Sequence, residues 1–134
     1  MKIKVVSISG NLPTLSTRGS AGYDLRSITR GVIKPGTRQI INTGIKIQFP
    51  KRYYGRIAPR SNLAAKGIDI GAGVIDNDYR GEIKIIIINN GQDSFKYKYG
   101  TKLAQLIFTK YKTRTLKLVN TLNKTNRGEK GING

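Results

Sequence analysis

The acidic groups of this 134-residue chain are seven: Asp24, Asp69, Asp76, Asp78, Glu82, Asp93 and Glu129. Histidine and cysteine are both absent. That excludes a Ser-His or Cys-His nucleophile, imidazole- or thiolate-bound zinc, and any disulfide. A general base must then be a carboxylate, a tyrosine or a lysine, and a metal must be a hard cation held by oxygen, such as Mg²⁺. The stretch from Gly71 to Glu82 gathers the most chemistry. Gly71, Ala72 and Gly73 lead into Val74 and Ile75, and Asp76-Asn77-Asp78-Tyr79 forms a turn before Arg80, Gly81 and Glu82. It reads as a β-hairpin whose glycines bare the backbone N–H and C=O groups to a flat ligand, with Asp76 and Tyr79 beside it. Judged alone, the same stretch is also an Asx turn between two core strands.

A second candidate lies at Pro59-Arg60-Ser61-Asn62-Leu63-Ala64-Ala65-Lys66-Gly67. It predicts a helix of barely two turns, capped by Ser61 or Asn62 and stopped by Gly67. Arg60 and Ser61 at its start make an anion site of guanidinium, hydroxyl and backbone amides. Gln105 sits in an apolar run, Leu103 to Phe108, and must bond either to backbone or to a ligand oxygen.

The elements that position these groups are short strands. Met1–Ser9 alternates loosely, Leu12–Gly22 reads as a loop, and short strands are expected near Tyr23–Leu25, at Val32–Ile33 and at Tyr53–Ala58. Arg38–Phe49 predicts one long half-buried strand with Ile41, Thr43, Ile45, Ile47 and Phe49 inward. Ile83 and Ile85 to Ile88 form a buried strand, and Phe95–Tyr99, Leu103–Phe108 and Tyr111–Leu118 complete the sheets. Many short strands with one small helix indicate an all-β sandwich or jelly roll. Residues 1–119 are read as the β domain and the polar, aperiodic residues 120–134 as a flexible C-terminal arm.

Lys and Arg number 25, giving a net charge of +18. That favours an anionic partner and leaves non-specific contact with nucleic acid open. No apolar run suits a membrane span and no signal peptide is evident, so the expectation is a protein that is not secreted and contacts no membrane.

Five stretches, in order along the chain, resemble the signature motifs of the trimeric dUTP pyrophosphatases, or dUTPases. They are Ala21–Leu25; Gly55–Ala64, resembling GRxAPRSGLA; Gly73–Glu82, resembling GVIDxDYRGE; Gly100–Leu106, resembling GDRIAQL; and Arg127–Gly134, resembling the start of RGxxGFGSTG. The resemblance implies a jelly-roll subunit in a homotrimer whose active sites lie at subunit junctions. One chain supplies the phosphate-binding motifs, a second the uracil hairpin and a third the C-terminal arm. The implied reaction is hydrolysis of dUTP to dUMP and pyrophosphate with Mg²⁺, in cytoplasm or nucleus, keeping uracil out of DNA and supplying the thymidylate precursor.

By that resemblance Asp76 activates the water that attacks the α-phosphorus, and Tyr79 lies under the deoxyribose. The backbone of Gly73, Val74 and Ile75 reads uracil. Arg60, Ser61, the Asn62 backbone, Gln105 and Arg127 hold phosphate oxygens, Ile132 and Asn133 belong to the closing arm, and Asp24 approaches the metal through water. Asp78, Arg80 and Glu82 are implied to fix the hairpin and trimer contacts.

The chain also departs from the family. Asn62 stands for a Gly, as the residue best able to replace it if the backbone takes positive φ. Thr101-Lys102 replaces an Asp-Arg pair, which predicts a stability effect. Ile132 replaces the Phe that stacks on uracil and Asn133 replaces a Gly, which predicts a working but weakened lid. A dCTP deaminase of the same superfamily would need other residues in place of Asp76 and Tyr79. A trimer recruited as a nucleic-acid-binding module is the alternative from another class. The Lys-, Ile- and Asn-rich composition fits an AT-rich genome, such as a viral one.

Overall fold

The computed structural model describes residues 2–132. Twelve strands and one short helix follow in chain order: β1 Lys4–Ser7, β2 Thr14–Leu15, β3 Tyr23–Arg26, β4 Gly31–Ile33, β5 Arg38–Asn42, β6 Ile45–Gln48, β7 Tyr53–Pro59, α1 Ser61–Ala64, β8 Ile68–Gly71, β9 Val74–Ile75, β10 Lys84–Asn89, β11 Phe95–Tyr97 and β12 Lys102–Lys110. All pairings are antiparallel, in sheets ordered β2-β3-β12-β7-β9, β5-β10-β8, β1-β6 and β11-β4. This is the expected all-β jelly-roll arrangement.

Its core is aliphatic. Leu25, Ile33, Ile41, Ile83, Ile85, Ile87, Leu103 and Leu106 are essentially sealed from solvent. Phe108 closes one end of this core, edge-on to Tyr23 at 5.6 Å and tilted against Phe49 at 5.8 Å. Alternation explains the burial: on β10, Ile85 and Ile87 point inward while Ile86 and Ile88 point away.

Three expectations need correction. The run from Arg38 to Phe49 is two strands, β5 and β6, which pair with β10 and β1 respectively. Its inward set, Ile41, Thr43, Ile45, Ile47 and Phe49, is buried as read. The break falls at Gly44, whose φ of +71° turns the chain from one sheet to the next. The buried Thr43 hydroxyl donates to Ile83 O there, which makes a polar residue acceptable on the inward face. Next, no strand follows Lys110, so Tyr111–Leu118 does not close the sheet. Both edges of β12 are already taken, by β3 and β7, and the chain from residue 112 onward is exposed. Last, Leu12–Gly22 is not wholly loop, because Thr14-Leu15 adds to β3.

A polar knot ties the loop after β10. Asn89 is fully buried, its Nδ2 donating to Ile33 O and Asp93 O at 2.9 Å each, while its Oδ1 accepts from Gly91 N. Removing that amide leaves buried backbone groups unpaired. Asn89→Ala is expected to cost about 2–4 kcal/mol in urea unfolding, whereas Gln92→Ala on the same loop stays within about 0.5 kcal/mol.

Candidate active site

Three neighbouring strands bring the first, second and fourth motifs into one row. Gln105 on β12 lies directly opposite Asp24 on β3 and Ala58 on β7. Its Nε2 donates to Pro59 O at 3.0 Å, so the amide uses backbone on that side. On the other it lies over Gly22, where an added Cβ would come within 2.5 Å of Oε1. Arg60 and Ser61 follow at the end of β7, within reach of the same row.

Asp24 is only 5% exposed, and its charge is matched on three sides. Ser16 Oγ donates to Oδ2 at 2.7 Å, Lys102 Nζ lies 3.5 Å from Oδ2, and Arg60 Nε lies 3.7 Å from Oδ1. A buried carboxylate without such partners would carry a large desolvation cost. Ser16 and the pairing of Lys102 with Asp24 were not legible in the sequence. The signal that could have found Lys102 is its place on the strand beside β3, three residues before Gln105. Lys102 stands at the usual Arg position of its motif and puts its cation on Asp24, while Thr101 closes a turn, its Oγ1 accepting from Lys98 N at 2.9 Å.

The helix starts at Ser61 and runs only to Ala64. The expected caps are corrected: the cap position falls on Arg60, in extended backbone, with no side-chain cap bond. β7 continues through Pro59, so Arg60 is the first residue free to turn, and its guanidinium faces Asp24 instead. The Ser61 hydroxyl and Asn62 are exposed, and Asn62 is helical, so the replacement of Gly does not place a residue at positive φ.

The Gly71–Glu82 stretch departs from a simple hairpin. β8 and β10 pair with each other, and between them the chain leaves to form β9 against β7, with Val74 opposite Arg56 and Ile75 opposite Gly55. Gly73, at φ +98°, makes the crossing; its carbonyl accepts from Ile57 N at 2.7 Å, and a Cβ there would meet Ile57 O at 2.9 Å. Ala72 precedes it at φ +58°. The turn beyond β9 is closed by Tyr79 N donating to Asp76 O, and Asn77 Nδ2 anchors it to Pro50 O and Tyr53 O. Tyr79 donates its hydroxyl to Glu82 O at 2.7 Å, and its ring lies over Gly81, where any Cβ would strike it. Glu82 in turn accepts from Gly44 N, and Arg80 donates to Asn77 O.

The Asp76 carboxylate is exposed and takes no ion pair or hydrogen bond among the described residues. It opens onto a cleft of about 560 Å³ lined by Tyr54, Val74, Asn77, Asp78, Tyr111 and Thr113.

These two groups do not meet within one chain. The antiparallel register sends Asp76 past Tyr54, whereas Arg60 lies beyond the opposite end of β7. Six residues of extended strand separate the two by about 20 Å. Arg127 and Ile132 lie elsewhere again, on exposed chain; Arg127 Nε donates to Lys130 O in a local turn. Asn133 falls outside the described residues.

Among the described residues, no group of three or more acidic side chains converges. The donor set fits an Mg²⁺ ion held mainly by oxygen from a bound phosphate chain and water. Asp24 Oδ1, with one long contact, retains lone-pair capacity for a metal-bound water.

Comparison with known proteins agrees with this arrangement. The dUTPase family model matches residues 9–134. The deoxyuridine 5'-triphosphate nucleotidohydrolase of vaccinia virus (strain Copenhagen) is 52% identical over 120 residues, 90% of this chain and 82% of that protein. That of variola virus is 51% identical over the same length. The dUTPase of Staphylococcus bacteriophage 80alpha, solved with dUPNHPP, superposes with a TM-score of 0.88 at 25% identity, covering 98% of this chain and 96% of that one. A mutant dUTPase of phage phi11, whose structure concerns a structural Mg(II) ion, gives 0.81 at 25% identity, covering 90% and 98%. With this match along nearly its whole length, the chain is a member of the dUTPase family.

Proposed function

We propose that this chain hydrolyses dUTP to dUMP and pyrophosphate, by water attack on the α-phosphorus at sites completed between copies in a homotrimer. The observation that carries the shared site is the separation along β7. Asp76 and Tyr79 stand at one end, Arg60, Ser61 and Gln105 at the other, so a second copy must bring the halves together. An arm from a third copy suits residues 120–134. Leu116, Leu118 and Leu122, on the chain leading into and along that arm, are 93%, 99% and 85% exposed and find no cover on their own subunit.

In this reading Asp76, unpaired and open to solvent, accepts the proton of the attacking water; a positioned carboxylate base contributes roughly 10²–10⁴-fold. Tyr79, its ring fixed by Glu82 O and Gly81, blocks a 2′-hydroxyl sterically. The main chain of Gly73, Val74 and Ile75 reads uracil and leaves no room for a thymine methyl. Arg60, Ser61, the Asn62 amide, Gln105 and, from the arm, Arg127 hold phosphate oxygens, with the first held in place by Asp24. Mg²⁺ bound at the phosphates, with Asp24 as an outer contact, supplies charge neutralisation. Ile132 covers the base by apolar contact alone, and Asn133 closes the arm beside it.

The activity serves to keep uracil out of DNA and to supply dUMP, in cytoplasm or nucleus; the poxvirus relatives favour a viral source and hence a host cell. A second, lesser reading is non-specific contact with nucleic acid, supported by Lys110, Lys112, Arg114, Lys117 and Lys124 exposed on and beyond the end of β12. A steep fall in DNA affinity with salt is its signature.

Pyrophosphate release with Mg²⁺ is expected from dUTP and not from dTTP, dCTP or UTP, and Asp76→Asn should lower it by about 100-fold or more. Equal release from dTTP would remove the uracil reading. Mixing inactive Asp76→Asn with inactive Arg60→Ala, unfolded and reassembled together, should restore about a quarter of wild-type turnover, because random assembly pairs intact halves at that frequency. A mixture that stays inactive would place both halves in one chain. Ile132→Phe should raise kcat/KM for dUTP by roughly five-fold or more through restored stacking; unchanged kinetics would mean that the arm does not cover the base.

A further inference from the structure

Half-buried antiparallel sheets ordinarily alternate apolar inward with polar outward. β10 does not. Ile85 and Ile87 fill the core at 0% exposure, yet Ile86 and Ile88 are isoleucines too, and they point the other way. Register places Ile40 of β5, 59% exposed, opposite Ile86 on one side and Gly71 of β8 on the other. Gly71 keeps this surface flat. Ile86 Cγ2 and Ile88 Cδ1 lie over its bare backbone, where a Cβ would stand 2.9 Å and 3.3 Å from them.

We propose that this outer face of the β5-β10-β8 sheet, with Ile40, Ile86 and Ile88 at its centre, is the surface by which the chain packs against further copies of itself. The inference rests on the reading of a site shared between copies and names the face that shares it. Charge supports a self-complementary partner. In a chain of net charge +18, the strip itself carries no charge. Arg38 and Asp69 flank Ile88 on opposite sides, so each copy offers both signs at the margin. An apolar centre inside a charged rim is the anatomy of a protein interface.

Chain continuity supplies the link to the site. β8 leads into the turn that carries Asp76 and Tyr79, and β10 leads out of it. The face and the turn therefore belong to one paired unit, and burying the face against another copy carries the turn to the border between copies.

The test compares full-length Ile40→Lys and the double variant Ile86→Lys/Ile88→Lys with Val32→Lys, a charge placed at another exposed apolar residue, on β4. Light scattering after size exclusion should give wild type and Val32→Lys three times the single-chain mass. The face variants should run as single chains with β-sheet circular dichroism retained, and dUTP turnover should fall 100-fold or more. Multimeric face variants of wild-type turnover would overturn the proposal, and complementation between Asp76→Asn and Arg60→Ala would then leave the shared site standing on a different face. A wild type that is itself a single chain, active in dilute solution, would overturn both. Should the lysine variants fail to fold, the absence of native cysteine provides another route. A thiol from Ile86→Cys should be protected from a bulky maleimide in the assembled enzyme, while one from Val32→Cys reacts at once. Equal reaction rates would also overturn the proposal.

Discussion

The direction of one strand constrains everything that surrounds it. β7 carries Arg60 and Ser61 beyond its C-terminal end, and through its pairing with β9 it fixes Asp76 near its N-terminal end. A β-strand cannot be shortened or folded back without losing its ladder, so the two groups are held apart as rigidly as they are held in place. Such a strand makes a poor frame for a site within one subunit and a good one for a site between subunits. Each half is presented by stiff backbone, and closing the gap requires only docking.

Within the phosphate half, burial of Asp24 organises the rest. A carboxylate taken out of water must be met by donors and opposite charge, and here Ser16, Lys102 and Arg60 all turn toward it. Arg60 is thereby held beside Gln105 before any ligand arrives, which lowers the entropy lost on binding. Lys102 can fill the place of the usual arginine because a point charge suffices for this contact; nothing in the cluster demands a planar fork. The sequence-level expectation that the Thr101-Lys102 exchange would touch stability alone therefore understates Lys102, which acts on a group that positions a phosphate ligand.

Much of this was legible in the sequence because local chemistry and final fold agree. The five motifs, the alternation of β6 and β10, and the turn at Asp76–Tyr79 each demand the same backbone in isolation as in the folded chain. What escaped is long-range. Gly44 splits an unbroken-looking alternation into strands of two different sheets, since periodicity records which face a residue takes and not which neighbour its strand finds. The Tyr111–Leu118 stretch alternates like a strand, yet the sheet has no free edge to receive it. Asn89 was read as part of a turn, and only the approach of Ile33 and Asp93 makes it a buried knot. The knot, Ser16 and Lys102 all depend on contacts between residues far apart in sequence, which no single stretch encodes.

The apolar residues left outside then become informative. A domain of this size buries about two-thirds of its unfolded surface, and isolated exposed leucines or valines need no explanation. Here the exposed apolar residues are not isolated. They form a flat isoleucine strip on one face and a leucine series at alternate positions beyond β12, in a chain whose remaining surface is strongly cationic. Like charge opposes association, so any contact between copies must be made where charge is absent and apolar area is concentrated. The strip meets both conditions. If copies join there, part of the stability of each subunit resides in the assembly and rises with concentration. The half-sites at the ends of β7 are then completed by the same event that stabilises the fold, and a misfolded or unassembled chain has no complete site with which to act.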